Sequence, residues 1–192
     1  EDHLEDGPFG NKSSSVGRAV ANVRVRIVDD RAQDLEPFEV GEIIVSGPNV
    51  MKGYWNKPKE TAFALRDGWL HTGDLGFMDT HGFVTLVDRL KDMVITGGEN
   101  VYSVEVERVL ATHDSVHSVA VIGMPDADLG ERVHAVVRPN SKGDLDLQGL
   151  QEHCRPHLAG YKIPRSVQFR RSPFPLTATN KIDKRALKAW CF

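Results

Sequence analysis

The chain has 192 residues, 40% of them hydrophobic and 27% charged, with a net charge of −3. That balance suits a globular protein with a real core and gives no electrostatic footing for nucleic acid or an anionic membrane. No apolar run nears membrane-spanning length, no signal-peptide pattern opens the sequence, and the only two cysteines, Cys154 and Cys191, lack metal-type spacing, so a reduced, cytoplasmic setting is expected.

The opening Glu1 to Pro8 is polar and patternless and reads as a loop. A first residue that is not Met suggests a piece of a longer protein or a trimmed chain. Val23 to Val28 alternates apolar and basic residues, the mark of a half-buried strand, and Gly41 to Val45 reads as a second. Gly47-Pro48-Asn49 and Asn56-Lys57-Pro58 are turns. Thr61 to Leu65 reads as a turn or two of helix. Trp69-Leu70, Gly76 to Met78 and Phe83 to Val87 are short strands, the last two joined by a hairpin loop over Asp79 to Gly82. Residues 16–88 therefore read as a β-rich, barrel-like subdomain or folded sheet.

The character changes after Lys91. Ser103 is placed to cap a helix over Val104 to Thr112, with Val106, Val109 and Leu110 on one face. Val116 to Ile122, Arg132 to Arg138 and Arg165 to Arg170 read as strands. Leu147, Leu150 and Cys154 mark a helix that Pro156 kinks or ends. A last helix runs from Ile182 to Trp190, with Ala186, Leu187 and Trp190 facing inward. The fold class expected is α+β: residues 1–88 form the β-rich region and residues 89–192 a small mobile α+β domain, with a tight joint near Lys91.

Four short stretches carry candidate chemistry. In Thr72-Gly73-Asp74, a carboxylate following a glycine at a strand end can accept hydrogen bonds from a ribose diol, although an Asp-capped turn has the same sequence. Arg89 offers a fixed fork of donors for a hydroxyl or phosphate oxygen, or an ordinary surface ion pair with Asp88 or Asp92. Gly97-Gly98 permits positive φ and close approach by a thin ligand, or is a plain strand-to-helix turn. Lys181, after Asn180, is a mobile positive charge suited to a phosphoryl centre, or a solvated lysine at a helix start. Taken singly, each ordinary reading is the better one. His113-x3-His117 and His153-x3-His157 lack the glutamate of a zinc-protease motif, and Pro156 spoils the second, so no metal ligand is assigned.

Taken in order, the set is specific. Gly41-Glu42-Ile43, Gly53-Tyr54-Trp55, Gly68-Trp69, Thr72-Gly73-Asp74, Asp88-Arg89-Leu90-Lys91-Asp92, Gly97-Gly98-Glu99-Asn100, Glu105-Val106-Glu107 and Asn180-Lys181 resemble the C-terminal part of the AMP-forming acyl-CoA synthetases. Luciferases and peptide-synthetase adenylation domains belong to the same superfamily, and the resemblance runs from about Val16 to about Trp190. It implies ATP with Mg2+, coenzyme A and a small-molecule carboxylate as partners. It also implies Asp74, Arg89 and Leu86 at the nucleotide, and Lys181 at the carboxylate and phosphate. Lys91 would be the hinge, with Gly97, Gly98, Asn100 and Tyr161 toward coenzyme A.

Departures from the family pattern are Asn180 where glycine is common, Ile95 where some relatives carry lysine, and Ser103 where proline is common. The family's Ser/Thr/Gly-rich phosphate loop and its acyl pocket are not in these residues, so the resemblance implies a missing N-terminal region and no turnover by this piece alone. A non-catalytic nucleotide- or CoA-binding or docking module, and a peptide-synthetase-type fragment, stay open as alternatives. Fatty, aromatic and dicarboxylic acids all stay open as substrates.

Overall fold

The computed structural model describes residues 15–140 and 145–191, so the opening loop lies outside the described residues. The chain divides into two compact units between Lys91 and Asp92.

The first unit holds β1 (Ser15–Gly17), β2 (Arg24–Val28), β3 (Gly41–Ser46), α1 (Pro58–Ala64), β4 (Leu65–Arg66), β5 (Trp69–Met78) and β6 (Val84–Arg89). They form one antiparallel sheet in the order β1-β6-β5-β3-β2, with β4 on the start of β5. The sheet is open, which corrects the barrel-like reading. Closure needs β1 to pair with β2. Instead the outer edge of β2 is taken by the chain's own return: Leu35 N donates to Ile27 O at 3.0 Å, and Val28 bridges Asp34. An edge satisfied locally offers no ladder to a distant strand.

The basic residues alternating along β2 have a use, because the guanidiniums of Arg24 and Arg26 lie over the Trp69 ring at 4.8 and 5.1 Å. Helix α1 starts earlier than expected because Pro58 sits at its first position, where a missing N–H costs nothing. The two short strands expected at 69–70 and 76–78 are one ten-residue strand. Asp79 Oδ1 accepts from His81 N and Phe83 N at 2.9 and 2.8 Å, fixing the expected hairpin loop.

The second unit holds β7 (Val94–Thr96), β8 (Glu99–Val101), α2 (Ser103–Ala111), β9 (Val116–Asp126), β10 (Gly130–Pro139), α3 (Leu147–Cys154), β11 (Ser166–Phe169) and α4 (Lys184–Trp190), with a 3-10 turn at Gly160–Lys162. β10 pairs along its length with antiparallel β9, with parallel β11 at His134–Val137, and with β7 at Gly130. Alternation on β9 and β10 feeds two cores. Val119, Val121, Val133, Ala135 and Val137 pack with Val106 and Leu110 of α2 and Leu150 and Cys154 of α3. Ala120, Ile122, Met124 and Val136 face the other way, onto Phe174 and Leu187 of α4.

Two local expectations fail here. Ser103 is not a cap, since Tyr102 holds that position without a side-chain bond and Ser103 is the first helical residue, fully buried. Trp190 does not face inward; it is 37% exposed and stacks under Arg170 at 4.8 Å. Among the described residues no helix is long and apolar enough to cross a membrane.

Candidate functional site

The clearest constructed feature of the first unit is the Thr72-Gly73-Asp74 bulge within β5. β3 and β5 fall out of step there: Glu42 pairs with Leu75, yet Ile44 pairs with His71, so β5 carries extra residues over that stretch. Gly73 takes φ +70, and a Cβ there would meet nothing within 4 Å. One carboxylate ties the bulge down. Glu42 Oε2 lies 2.8 Å from His71 Nδ1, and Oε1 accepts from Gly73 N at 3.1 Å. Thr72 Oγ1 donates to Ile43 O at 2.7 Å and accepts from Asp74 N at 3.1 Å. A cavity of about 610 Å³, lined by Tyr54, Phe63 and Arg66 among others, opens beside Glu42, His71 and Gly73.

Asp74 is thereby set directly across the ladder from Arg89, and Arg89 Nε stands 3.3 Å from Asp74 Oδ1. Both side chains are well exposed, at 37% and 50%, so the pair adds little stability. Its partner is neither Asp88 nor Asp92 as a simple surface pair would have it; Asp88 Oδ1 instead accepts from the Arg89 backbone N–H at 2.7 Å. A second bulge skips Val87, so that Gly76 faces Leu86 while Asp74 faces Arg89. Without that extra residue, Leu86 and Arg89 would point to opposite faces. With it, a carboxylate, a guanidinium and a half-exposed leucine share one face, which gives hydrogen-bonding groups for a diol beside an apolar contact for a flat ring.

Lys91 is exposed in the turn that follows, next to the division between the units.

In the second unit, Gly97 and Gly98 form a two-residue hairpin between β7 and β8, not a strand-to-helix turn. Both take positive φ, +59 and +85, as a type I′ connection requires. Gly97 N donates to Leu129 O at 2.9 Å, and the Cβ side of Gly98 is open. Asn100 is exposed on β8, and the 3-10 turn carrying half-exposed Tyr161 lies beside that strand.

Lys181 lies on another loop. Leu176 and Ile182 bridge its base, Thr177 N donates to Lys181 O at 2.7 Å, and Asn180 takes φ +60. Asparagine tolerates that left-handed backbone better than most residues, so the loop keeps its shape without glycine. The Lys181 side chain is exposed and has no hydrogen bond or ion pair among the described residues. Asp183 caps α4 just beyond, its carboxylate accepting from Ala186 N at 3.0 Å.

The histidines come together differently from their spacing. His153 contacts His113 edge-on at 5.0 Å and His157 at 6.1 Å, while its Nε2 lies 3.0 Å from both Val109 O and Thr112 Oγ1. Among the described residues no group of three His, Cys, Asp or Glu is set to hold a metal. Burial raises the Cys154 thiol to about 11, which keeps it protonated and inert at neutral pH.

Glu42 stands in the family-like set, yet neither it nor His71 was given a role by sequence reasoning; the available signal was a lone carboxylate beside the apolar Ile43-Ile44-Val45 of β3.

Comparison with known proteins gives the family. The AMP-binding enzyme family matches residues 3–55, and the AMP-binding enzyme C-terminal domain matches residues 105–181, ending on Lys181. The chain belongs to the AMP-forming acyl-CoA ligase superfamily. A long-chain-fatty-acid–CoA ligase of Bacillus subtilis is 46% identical over 92% of this ligase-family chain and 32% of its own length. Amide bond synthetase McbA from Marinactinospora thermotolerans is 42% identical with a TM-score of 0.82, over 93% of this chain and 37% of its own. o-Succinylbenzoate CoA synthetase of Bacillus subtilis, solved with its acyl-adenylate intermediate and also with ATP and magnesium, is 38% identical; in the acyl-adenylate structure the TM-score is 0.83, over 92% of this chain and 36% of its own. The chain thus spans about a third of the length of these relatives.

Proposed function

We propose that this chain supplies the ribose-binding strands and the mobile domain of an ATP-dependent carboxylate–CoA ligase. The substrate carboxylate attacks the α-phosphorus of ATP, whose bond to pyrophosphate breaks. The thiol sulfur of coenzyme A then bonds to the acyl carbon, AMP leaves, and the thiol proton passes to solvent. Magnesium enters with the nucleotide and neutralises phosphate charge.

The observation that carries this reading is Lys181, an exposed ammonium on a loop of fixed backbone. It bridges the carboxylate and phosphate oxygens as charge builds between them. Asp74 and Arg89 hold the ribose hydroxyls, and Leu86 lies against the base. Gly97, Gly98 and Asn100, with Tyr161 beside them, border the pantetheine arm and nucleotide of coenzyme A. One pocket cannot offer a lysine to phosphate and a passage to a thiol at once. Rotation at Lys91 alternates the two, so the units act as domains of roughly 1–88 and 89–192. The remaining two-thirds of the relatives' length supplies the phosphate loop and acyl pocket, and the free thiols suit the cytoplasm.

The test is Lys181→Ala in the full-length enzyme. ATP–pyrophosphate exchange should fall by roughly two to four orders of magnitude, while CoA capture of supplied acyl-AMP is largely spared. Unchanged exchange removes the assignment. An amine acceptor in place of CoA is a second reading, supported by the 42% identity to an amide bond synthetase; amide product from acyl-AMP, with no thioester when CoA is offered, would select it.

A further inference from the structure

Three residues past Lys181 stands a second lysine whose environment is the reverse of the first. The Lys184 side chain is only 13% exposed, and its Nζ lies 2.6 Å from Glu107 Oε1 and 2.6 Å from the buried Ser103 Oγ. Glu107 Oε1 also accepts from Val121 N at 2.8 Å. One ammonium therefore ties the start of α4 to α2, and through Glu107 to β9.

Helix stability does not account for this arrangement. Lys184 opens α4, where the helix dipole favours negative charge, so a lysine there works against the helix. Its benefit is tertiary. The Lys181 loop is closed on itself by Thr177 N to Lys181 O, Asn180 N to Thr177 O and Lys181 N to Thr177 Oγ1, and its base is held by the Leu176–Ile182 bridge, by Asp183 N donating to Pro175 O at 2.8 Å, and by Ile182 against the Phe174–Leu187 cluster. α2 in turn follows directly on the Gly97–Gly98 hairpin.

We infer that Lys184 is a positioning residue for Lys181, its contacts with Glu107 and Ser103 fixing the lysine loop against the helix that follows the glycine hairpin. The inference rests on the reading of Lys181 given above. The buried Ser103 hydroxyl, at the start of α2, is the second acceptor of this ammonium.

Hydrogen exchange on the 192-residue chain tests the positioning directly. Lys184→Gln should speed exchange of the amides at 177–183 by roughly tenfold or more, leaving β9 and β10 protected. Lys184→Arg should restore most of the protection. Lys162→Gln is the control, because it breaks another short ion pair on α2, with Glu105 at 2.8 Å, away from this loop. Unchanged exchange at 177–183, or an equal loss across β9 and β10, overturns the inference. Where Lys184→Gln does not fold, Ser103→Ala removes one contact and keeps the other; it should loosen the same amides to a smaller degree, and no change there is equally fatal.

In the full-length enzyme Lys184→Gln should lower kcat of adenylation with little change in KM for ATP, and spare thioester formation. A loosened loop with intact adenylation upholds the positioning and instead overturns the role given to Lys181.

Discussion

The two units solve the problem of covering a sheet in different ways. In the second, β9 and β10 are apolar on both faces, and each face has its own cover: α2 and α3 on one, α4 and Phe174 on the other. In the first, the apolar cluster of Ile27, Ile43 and Val84 is small, and Trp55, Phe63 and Tyr54 stand 87%, 73% and 48% exposed. The second unit buries both faces of its central strands, whereas in the first the bulges of β5 and β6, with a left-handed Gly73, set Asp74, Leu86 and Arg89 on one face. A unit that closes its own core is free to move as a body. The first unit's exposed Trp55, Phe63 and Tyr54 lie on α1 and on the segment before it, not on the sheet.

The sharpest way to break this contrast is to separate the units. Residues 92–192 made alone should unfold in one cooperative thermal transition, since both faces of their sheet are buried within the piece. Residues 1–91 alone should show a broad, weakly cooperative melt by circular dichroism. Equal cooperativity in both pieces would remove the distinction.

Within the intact chain, matched truncations sharpen it. Leu110, on the inner face of α2, is fully buried, so Leu110→Ala should cost about 2–5 kcal/mol in denaturant unfolding. Phe63→Ala deletes a larger side chain from α1, yet it should change stability by no more than about 0.5 kcal/mol, because most of that ring already faces water. A large loss from Phe63→Ala would mean that the first unit is covered in solution, for example by self-association.

The same contrast governs what could be read in advance. Periodicity exposed the second unit well: the valine-rich strands and the Val106, Leu110, Leu150 and Leu187 positions follow from their spacing, because burial imposes a pattern. The first unit was read less well. A continuous β5 was hidden by Thr72-Gly73-Asp74, whose turn-like residues form a bulge within a strand. The sheet's openness does not show in a sequence that reads as barrel-like or folded, because edge closure depends on where the loop at 29–35 returns, a non-local fact. Asp74, Arg89 and Lys181, the residues of the proposed site, stand out in the sequence only as members of an ordered set, because their side chains are solvent-exposed and exposure leaves no hydrophobic signature. The Glu42 clamp and the Lys184–Glu107 contact were missed because each joins residues at least 29 positions apart.

A smaller effect tests the glycine hairpin. Gly98→Ala meets no clash, but φ +85 is unfavourable for an L side chain, at a cost of about 1 kcal/mol. In the full-length enzyme it should raise KM for CoA and leave ATP–pyrophosphate exchange near normal. A matching rise in KM for ATP would detach the hairpin from the thiol step.

The last test is one of pH, and it belongs to the closed core of the second unit. His134 on β10 is buried, with Nδ1 2.7 Å from Ser166 Oγ and Nε2 facing Cys191 Sγ at 3.8 Å. Burial, and secondarily the charge of Arg132, lower its pKa from the ordinary 6.5. The unfolded chain therefore binds a proton near pH 6.5 that the folded chain refuses. Stability from this group is present above that pH and is lost as pH falls toward the lowered folded value, with a slope of at most about 1.4 kcal/mol per pH unit. His134→Gln cannot take up that proton, so its stability should fall less than the parent's between pH 8 and pH 5 in urea unfolding. Parallel curves for the two proteins would show that His134 accepts its proton as readily in the fold as outside it, and that the core around β10 is more open to water than its packing implies.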